Sequence, residues 1–508
     1  MGETAPVVDL FIIGGGINGC GIARDAAGRG LSVSLVEQGD FASATSQWST
    51  KLIHGGLRYL EYYEFRLVAE SLREREVLLK AAPHLIQPLQ FILPHEPHLR
   101  PRWMIAAGMM LYDFLGGKKS LPRSSSVLLA DAPLGAGLKP GYTHGFSYYD
   151  ARVDDARLTL ANARGAVEHG ARIAPRTRFL DAKVQDGVWH ILTEDARTGA
   201  RATQQARMLI NAGGPWVLDV LRHLKGVHQK AGVKHVRGSH IVVPRIHTGE
   251  HAYILQNADK RIVFIIPYQK NFSLIGTTDI AVDEYAKPRI SQEEIDYLCQ
   301  AASAYTARPV RPADVVWTYS GVRPLYDDGG ADAKAITRDY VLEVNESAGA
   351  PLLNIFGGKL TTYRKLAEHA LEKIAPHFPS MGAPWTHTQP LPGGDFAGGL
   401  PALVEELKRR HPFLPAEHVE GIARRHGSTA LRWLDHANSI EDMGQYFGAG
   451  LYEREISHML TDEWAFTAED VLWRRSKCGL MMAGPEREKV EAYVAVRIAQ
   501  QTAQTVPA

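Results

Sequence analysis

Cysteine is scarce in this chain: 508 residues contain three, Cys20, Cys299 and Cys478. They lie far apart and form neither a C-x-x-C pair nor a zinc-ligand spacing. A disulfide framework and a metal site are therefore not expected, and a reducing cytoplasm fits. An excess of one charge is also missing. The 57 basic and 56 acidic side chains leave a net charge of +1, which gives no support for a nucleic-acid partner. No stretch reaches the ~18 to 20 apolar residues of a membrane-spanning helix. The N-terminal MGETAPVVDLFIIGGG has neither the basic segment nor the cleavage site of a signal peptide. No internal repeat and no low-complexity segment is present. What remains is ordinary globular composition, 45% hydrophobic and 22% charged, at a length that suggests about two to four domains.

The first ~40 residues read as one βαβ start. VVDLFIIG is a β-branched apolar run, GGINGCG a glycine turn, IARDAAGRG a helix that ends at glycine, and LSVSLVE a second strand. Residues 61–82 predict an amphipathic helix with Phe65, Val68, Leu72 and Leu79 near helical spacing. Residues 151–170 predict another, with Asp154 or Asp155 as its N-cap. ARMLINAGGPW is a strand entering a glycine turn. The short β-rich runs between 235 and 280 predict an antiparallel sheet. Residues 351–374 return to strand, glycine turn and helix, and beyond the linker at 391–401 the chain reads as mostly helical.

Gly14, Gly16 and Gly19 form G-x-G-x-x-G directly after a predicted strand. The first glycine permits the tight turn, the second admits a pyrophosphate to the backbone, and the third lets helix and strand pack closely. The following helix N-terminus favours phosphate charge. Glu37 ends the next strand, where an acid binds ribose hydroxyls. NAD and FAD share this fingerprint. Two features favour FAD. The motif opens a long chain, and two further glycine turns, NAGGPW and FGGKLTTY, follow much later strands.

Residues 45–60, TSQWSTKLIHGGLRYL, carry more chemistry than a turn needs. Ser46, Ser49 and Thr50 offer hydroxyls, and Gly55-Gly56 permits close approach to a flat ligand. His54, Arg58 and Tyr59 are candidates for reaction or binding, although a structural histidine and a surface ion pair are the plainer readings of the first two. Arg323 in YSGVRPL, Arg338 in AITRDY and Lys359 in FGGKL sit at turns or strand ends. For any one of them a surface salt bridge serves as well; jointly, beside glycine turns, they point to an anion site. Finally, 103–115 is apolar except for Asp113 and is flanked by Arg100, Arg102, Lys118, Lys119 and Arg123. It is too short to span a bilayer, and reads equally as a helix dipping into a lipid interface or as a buried helix.

LFIIGGGINGCGIARDAAGRGL, TKLIHGGLRYL, YEFRLVAESLREREVLL, RGSHIVVPR, TYSGVRPL, AITRDY and FGGKLTTYRKLAEHA together resemble the FAD-dependent glycerol-3-phosphate dehydrogenases, nearest the bacterial aerobic respiratory type. The resemblance runs from about residue 8 into the C-terminal helices, where EREISHMLTDEWAFTAEDVLWRRSKCGL continues it. It implies an α/β fold: a Rossmann-type FAD-binding domain assembled from 1–85, 150–234 and 325–388, an antiparallel β-sheet substrate (cap) domain from 86–149 and 235–324, and a C-terminal helical domain from 389–508. It also implies oxidation of sn-glycerol 3-phosphate to dihydroxyacetone phosphate on FAD, with electrons passing to ubiquinone at the inner face of the cytoplasmic membrane, and a homodimer. The alternative is an oxygen-using glycerol-3-phosphate oxidase or another oxidase of the same flavin fold.

Carried over position by position, Gly14, Gly16, Asn18, Gly19 and Glu37 are expected at the adenosine end and pyrophosphate of FAD, with Gly213 also at the cofactor. Ser46, Ser49, Thr50, Lys51, Leu52 and Gly55, with Gly357, Gly358, Leu360, Thr361 and Thr362, are expected around the isoalloxazine. Arg58, Tyr59, Arg338 and Lys359 are expected to bind the substrate, and His54 and Arg323 to flank its carbinol carbon. Neutral His54 suits a base, and permanently charged Arg323 suits stabilisation of the developing alkoxide. Gln47-Trp48 departs from the small residues usual in this loop, so Trp48 is expected either to narrow access to the flavin or to fill a packing gap. Cys20 stands where a small residue is common. The calcium-binding tail of mitochondrial relatives and the insertion of the soluble oxidases are not expected here.

Overall fold

The computed structural model describes residues 6–96, 100–117, 120–130, 133–229, 232–257, 259, 261–327 and 339–505. Strand β1 (Val8–Ile13), helix α1 (Ile17–Gly28) and strand β2 (Val33–Glu37) follow the expected βαβ order. β1 lies near the middle of a sheet whose strands run, in spatial order, 341–345, 352–356, 201–211, β1, β2 and 172–175. The last five are mutually parallel. Both faces of β1 are covered, and the two-residue period divides them. Leu10 and Ile12 pack with Ala23 and Ala26 of α1 and Leu366 and Ala370 of the helix Tyr363–Ile374. Phe11 and Ile13 pack on the opposite face with Trp189, Ile191 and Leu221.

The register places the glycine turns together. Ile13 pairs with Val36 and Asn211, and Asn211 pairs with Asn354. Three glycine turns that are hundreds of residues apart in sequence therefore leave the same carboxyl edge of one parallel sheet, the usual place for a ligand.

The second sheet has ten strands. The runs 232–244, 252–256, 262–268 and 272–276 form its antiparallel centre, while 252–256 joins 86–94 in parallel. The strands 232–244, 144–153 and 317–327 each run past an expected domain boundary, and the short strand Leu52–Ile53 also joins this sheet. Helix α2 spans Phe65–Ala81 and starts later than expected, because 57–62 forms a 3-10 turn. Val68 and Leu72 are buried, but Phe65 is exposed. Helix α4 spans Asp155–Glu168; Asp154 is its N-cap, accepting from the Arg157 N–H at 3.1 Å, and 151–153 belongs to a strand. Such a cap stabilises a helix by about 1 kcal/mol.

Residues 102–115 form helix α3. Only Met109 and Tyr112 are buried, whereas Trp103, Met110 and Phe114 are 69%, 72% and 81% exposed. The buried-helix reading is therefore set aside: α3 covers the second sheet with one narrow edge and turns its apolar bulk outward. Beyond residue 399 the chain is mainly helical, from Gly399–Arg410 to Gly484–Thr505. No helix among the described residues is long and apolar enough to cross a membrane.

Candidate functional site

The glycine turn is shaped by contacts that forbid side chains. Gly14 has φ +112°, and a Cβ there would lie 2.5 Å from the Ala212 carbonyl oxygen. A Cβ on Gly19 would lie 2.0 Å from the Gly14 carbonyl oxygen. Gly16 caps α1 with no side-chain hydrogen bond, and the first turn carries no acid, so the positive end of the helix is left for an anion. Glu37 accepts the N–H groups of Gly15 and Gly39, each at 2.7 Å. Burial pushes its carboxyl up, against those two donors, and Asp40 adds repulsion.

The other two turns close on this one. Gly357 and Gly358 have φ +73° and +100°. Asn18 donates from Nδ2 to the Gly357 carbonyl at 3.1 Å, while its buried Oδ1 has no partner among the described residues. Gly213 follows the strand 201–211, its N–H directed at Asn211 Oδ1. A side-chain-free cradle on a helix N-terminus, an acid at the end of β2 and an unpartnered buried amide oxygen fit the pyrophosphate and adenosine of a dinucleotide.

The 45–60 loop divides its work differently from expectation. Ser46 Oγ accepts the Ile17 N–H at 2.9 Å, which puts this hydroxyl at the start of α1 and not at the far end of the loop. The side chains of Ser49 and Lys51 turn into the protein. Ser49 Oγ donates to Asp155 Oδ2 at 2.7 Å, and Lys51 Nζ lies 2.9 Å from Asp155 Oδ1 and 2.8 Å from the Gln47 carbonyl. Burial draws the Lys51 ammonium down, opposed chiefly by Asp155. Thr50 Oγ1 meets His240 Nε2 at 3.1 Å. Trp48 stacks on Tyr319 with ring centres 5.3 Å apart, over Gly321, so it fills a packing gap. Leu52 and Ile53 pair with Arg152 and Ala151.

Past the strand, the loop reaches the third glycine turn. The His54 N–H is bonded to Thr361 Oγ1 at 3.2 Å, within the short turn Leu360–Thr362. Gly55 N–H is held by Tyr112 Oη at 2.9 Å and Asp150 Oδ1 at 3.3 Å. A Cβ there would sit 2.5 Å from both Tyr112 Oη and Leu72 Cδ2, which explains the glycine. Tyr112 donates to Asp150 Oδ2 at 2.7 Å, and Arg75 binds Asp150 Oδ1 at 2.7 Å.

Lys359 projects between these elements. Its ammonium lies 4.2 Å from the centre of the Tyr59 ring and is buried, with no hydrogen-bond partner among the described residues. An unpaired buried ammonium is costly, and a phosphate oxygen would offset that cost. Burial pulls His54 below the ordinary histidine range; Asp150 opposes the shift and Lys359 adds to it. Arg58 reaches Tyr62 Oη at 3.4 Å. Arg323 is 41% exposed and pairs with Asp279 at 2.9 Å. Arg338 lies outside the described residues.

Sequence reasoning gave no role at the site to Asp150, Asp155, Tyr112, Arg75 or His240. His240 was present in RGSHIVVPR without a role. It is buried, stacks on Tyr319 at 4.7 Å, and is drawn well below the ordinary range by burial, with Lys51 and Arg323 adding to the shift. The only cluster of metal-ligand type among the described residues is His426, His458 and Glu463. The Arg157 guanidinium already fills it, bonded to both Glu463 oxygens at 2.7 and 2.9 Å and 3.2 Å from His426 Nδ1.

Residues 9–364 match the FAD dependent oxidoreductase family, and 384–502 match the C-terminal domain of alpha-glycerophosphate oxidase. The aerobic glycerol-3-phosphate dehydrogenase of Escherichia coli (strain K12) is 49% identical over 488 residues, covering 96% of this chain and 97% of the relative. The D-erythritol 1-phosphate dehydrogenase of Brucella abortus (strain 2308) is 48% identical over 481 residues, covering 94% and 96%. The structure of the glycerol-3-phosphate dehydrogenase from Bacillus halodurans complexed with FAD superposes with TM-score 0.74 at 26% identity, covering 97% of this chain and 95% of that one.

Proposed function

The chain belongs to the FAD-dependent oxidoreductases, among the glycerol-3-phosphate dehydrogenases, and from that premise we propose that it oxidises sn-glycerol 3-phosphate at C2 to dihydroxyacetone phosphate. The observation that carries this reading is the buried, unpartnered Lys359 ammonium beside Tyr59 and close to His54. The three glycine turns would hold FAD, which would supply the acceptor for the C2 hydride.

The residues of the chain do the rest. Lys359, Arg58 and Arg338 hold the phosphate, a remote handle that fixes C2 in place. His54, kept neutral by burial, takes the proton of the C2 hydroxyl as the C–H bond breaks. Arg323 faces the developing alkoxide charge. Tyr112 and Asp150 fix Gly55, and through it the backbone that carries His54.

Electrons then pass to a quinone at a membrane surface. The outward apolar face of α3, with Trp103, Met110 and Phe114 beside exposed Arg100, Arg102 and Arg123, supports lipid contact. A cavity of about 730 Å³ opens beside this helix, lined by Met109, Met110, Phe114 and Phe146 with Asp113 and Arg123.

A second reading, an oxidase that uses oxygen, draws on the family of the C-terminal domain. One experiment separates the readings. Under anaerobic conditions the yellow protein is mixed with glycerol 3-phosphate, erythritol phosphate or glycerol, and reoxidised with a short-chain quinone or with oxygen. Bleaching by glycerol 3-phosphate followed by rapid quinone reoxidation is expected. Equal bleaching by glycerol would end the phosphate-site reading, preference for erythritol phosphate would change the substrate, and stoichiometric peroxide would make the protein an oxidase.

A further inference from the structure

We propose that the C-terminal helical domain completes the flavin site, with Arg474 and Arg475 as positioning residues for the loop that presents β2 to the adenosine end of FAD. The inference rests on the cofactor assignment and not on the proposed substrate.

That loop, 38–43, hangs from the glycine turn. Gly39 N–H is bonded to Glu37, Ala42 N–H to the Gly15 carbonyl at 3.2 Å, and a Cβ on Gly15 would touch Phe41 at 2.9 Å. Its other side is covered by residues from more than 400 positions later. Asp40, 2% exposed, receives Arg474 Nε at 2.6 Å and the two terminal nitrogens of Arg475 at 2.6 and 2.8 Å. Phe41 meets Trp464 edge-on at 5.3 Å. Asp470 is bonded to Arg474 and to Arg176, and the backbone N–H of Arg176 donates to the Gly39 carbonyl at 2.8 Å. Three consecutive residues of the loop, Gly39, Asp40 and Phe41, are thus each engaged directly or through one side chain by the C-terminal domain.

Charge makes the contact more than docking. Asp40 adds its repulsion to Glu37, which is itself bonded to the glycine turn at the Gly15 N–H. Without the arginine pair Asp40 would stand as an uncompensated buried charge, which strongly destabilises the site that holds it. Both the geometry of the loop and the reception of an anionic cofactor would suffer.

The test reads cofactor affinity. Full-length variants are stripped of flavin and titrated with FAD, following quenching of flavin fluorescence. Arg475→Gln is expected to weaken FAD about tenfold or more. Adding Asp40→Asn to it should restore most of the affinity, because a neutral amide needs no counter-charge. Arg424→Gln disturbs another contact of the same domain, with Gln87 of the second sheet and away from the loop, and should stay within about twofold. Unchanged affinity in Arg475→Gln overturns the proposal, as does an equal loss in Arg424→Gln with no recovery in the double variant. If Arg475→Gln yields no soluble protein, Arg474→Gln, which leaves the Arg475 fork on Asp40, should still cost about threefold, and no loss there overturns the proposal equally.

Discussion

The Lys359 ammonium rests 4.2 Å above the Tyr59 ring with no hydrogen-bond partner among the described residues. A cation–π contact offsets part of its desolvation, and the remainder makes the site receptive to an anion. Lys359→Met should therefore raise KM for glycerol 3-phosphate by about tenfold to a hundredfold, the range of one charge-assisted hydrogen bond. The visible flavin spectrum should be unchanged. Steady-state kinetics decide the matter: a KM equal to that of the wild type removes Lys359 from the phosphate site.

His54 faces two opposite charges, Asp150 and Lys359, inside a buried environment that favours its neutral form. The folded protein thus holds the imidazole below its usual value of about 6.5. A base is active when unprotonated, so the acidic limb of kcat/KM, which reports the free enzyme, should lie below pH 6.5. Lys359→Met should move that limb up and Asp150→Asn should move it down. His54→Ala should cost about 10²- to 10⁴-fold in kcat. A limb that ignores both charge variants, or a kcat that survives His54→Ala, would sink the proposed role of the base.

Local signals carried the sequence reading furthest. G-x-G-x-x-G, its flanking strands and Glu37 lie within 30 residues, and each constrains the next. The directions of the Ser49 and Lys51 side chains are not legible in the sequence, because their partner Asp155 is over 100 positions away and decides which way they point. The need for glycine at 55 is invisible until Tyr112 and Leu72 close on it. For Trp48 the sequence leaves obstruction and packing both open, and the stack with Tyr319 is a packing contact. The apolar stretch 103–115 was legible as a helix, but its composition cannot say which face a neighbour covers. The grip of Arg474 and Arg475 on Asp40 has no local sequence signal, because the partners stand more than 430 positions apart.

Acid should destabilise the fold through histidines that are buried neutral. Burial holds His84 at about 3, with Arg157 and His426 adding to the shift, and holds His247 at about 3 and His251 at about 4, where Arg245 adds. Unfolded, each takes a proton near pH 6.5. Between pH 6.5 and about 4 the unfolded chain binds more protons, so stability falls as pH falls. Thermal melts should show Tm roughly level from pH 8 to 7 and declining steadily from 6.5 to 4.5. His247→Phe should flatten that slope, whereas an identical slope in the variant would show that the titrating groups lie elsewhere.

Helix α3 turns only part of its apolar surface outward, and that part is where lipid contact can be tested. Met109 is 2% exposed and packs against the second sheet, so an acid there would damage the core and confuse loss of folding with loss of binding. Met110 and Phe114, 72% and 81% exposed, lie four positions apart on one helical face, beyond the buried Tyr112 edge. Two glutamates at these positions would replace apolar surface by charge that anionic lipid repels, while leaving the Tyr112–Gly55 contact intact. Met110→Glu/Phe114→Glu should therefore lose co-sedimentation with vesicles containing anionic phospholipid, yet keep bound FAD and its rate of reduction by glycerol 3-phosphate. Full retention on vesicles would show that α3 is not the lipid-facing surface. Loss of both vesicle binding and flavin reduction would mean that the apolar face belongs to the catalytic fold and not to a membrane contact.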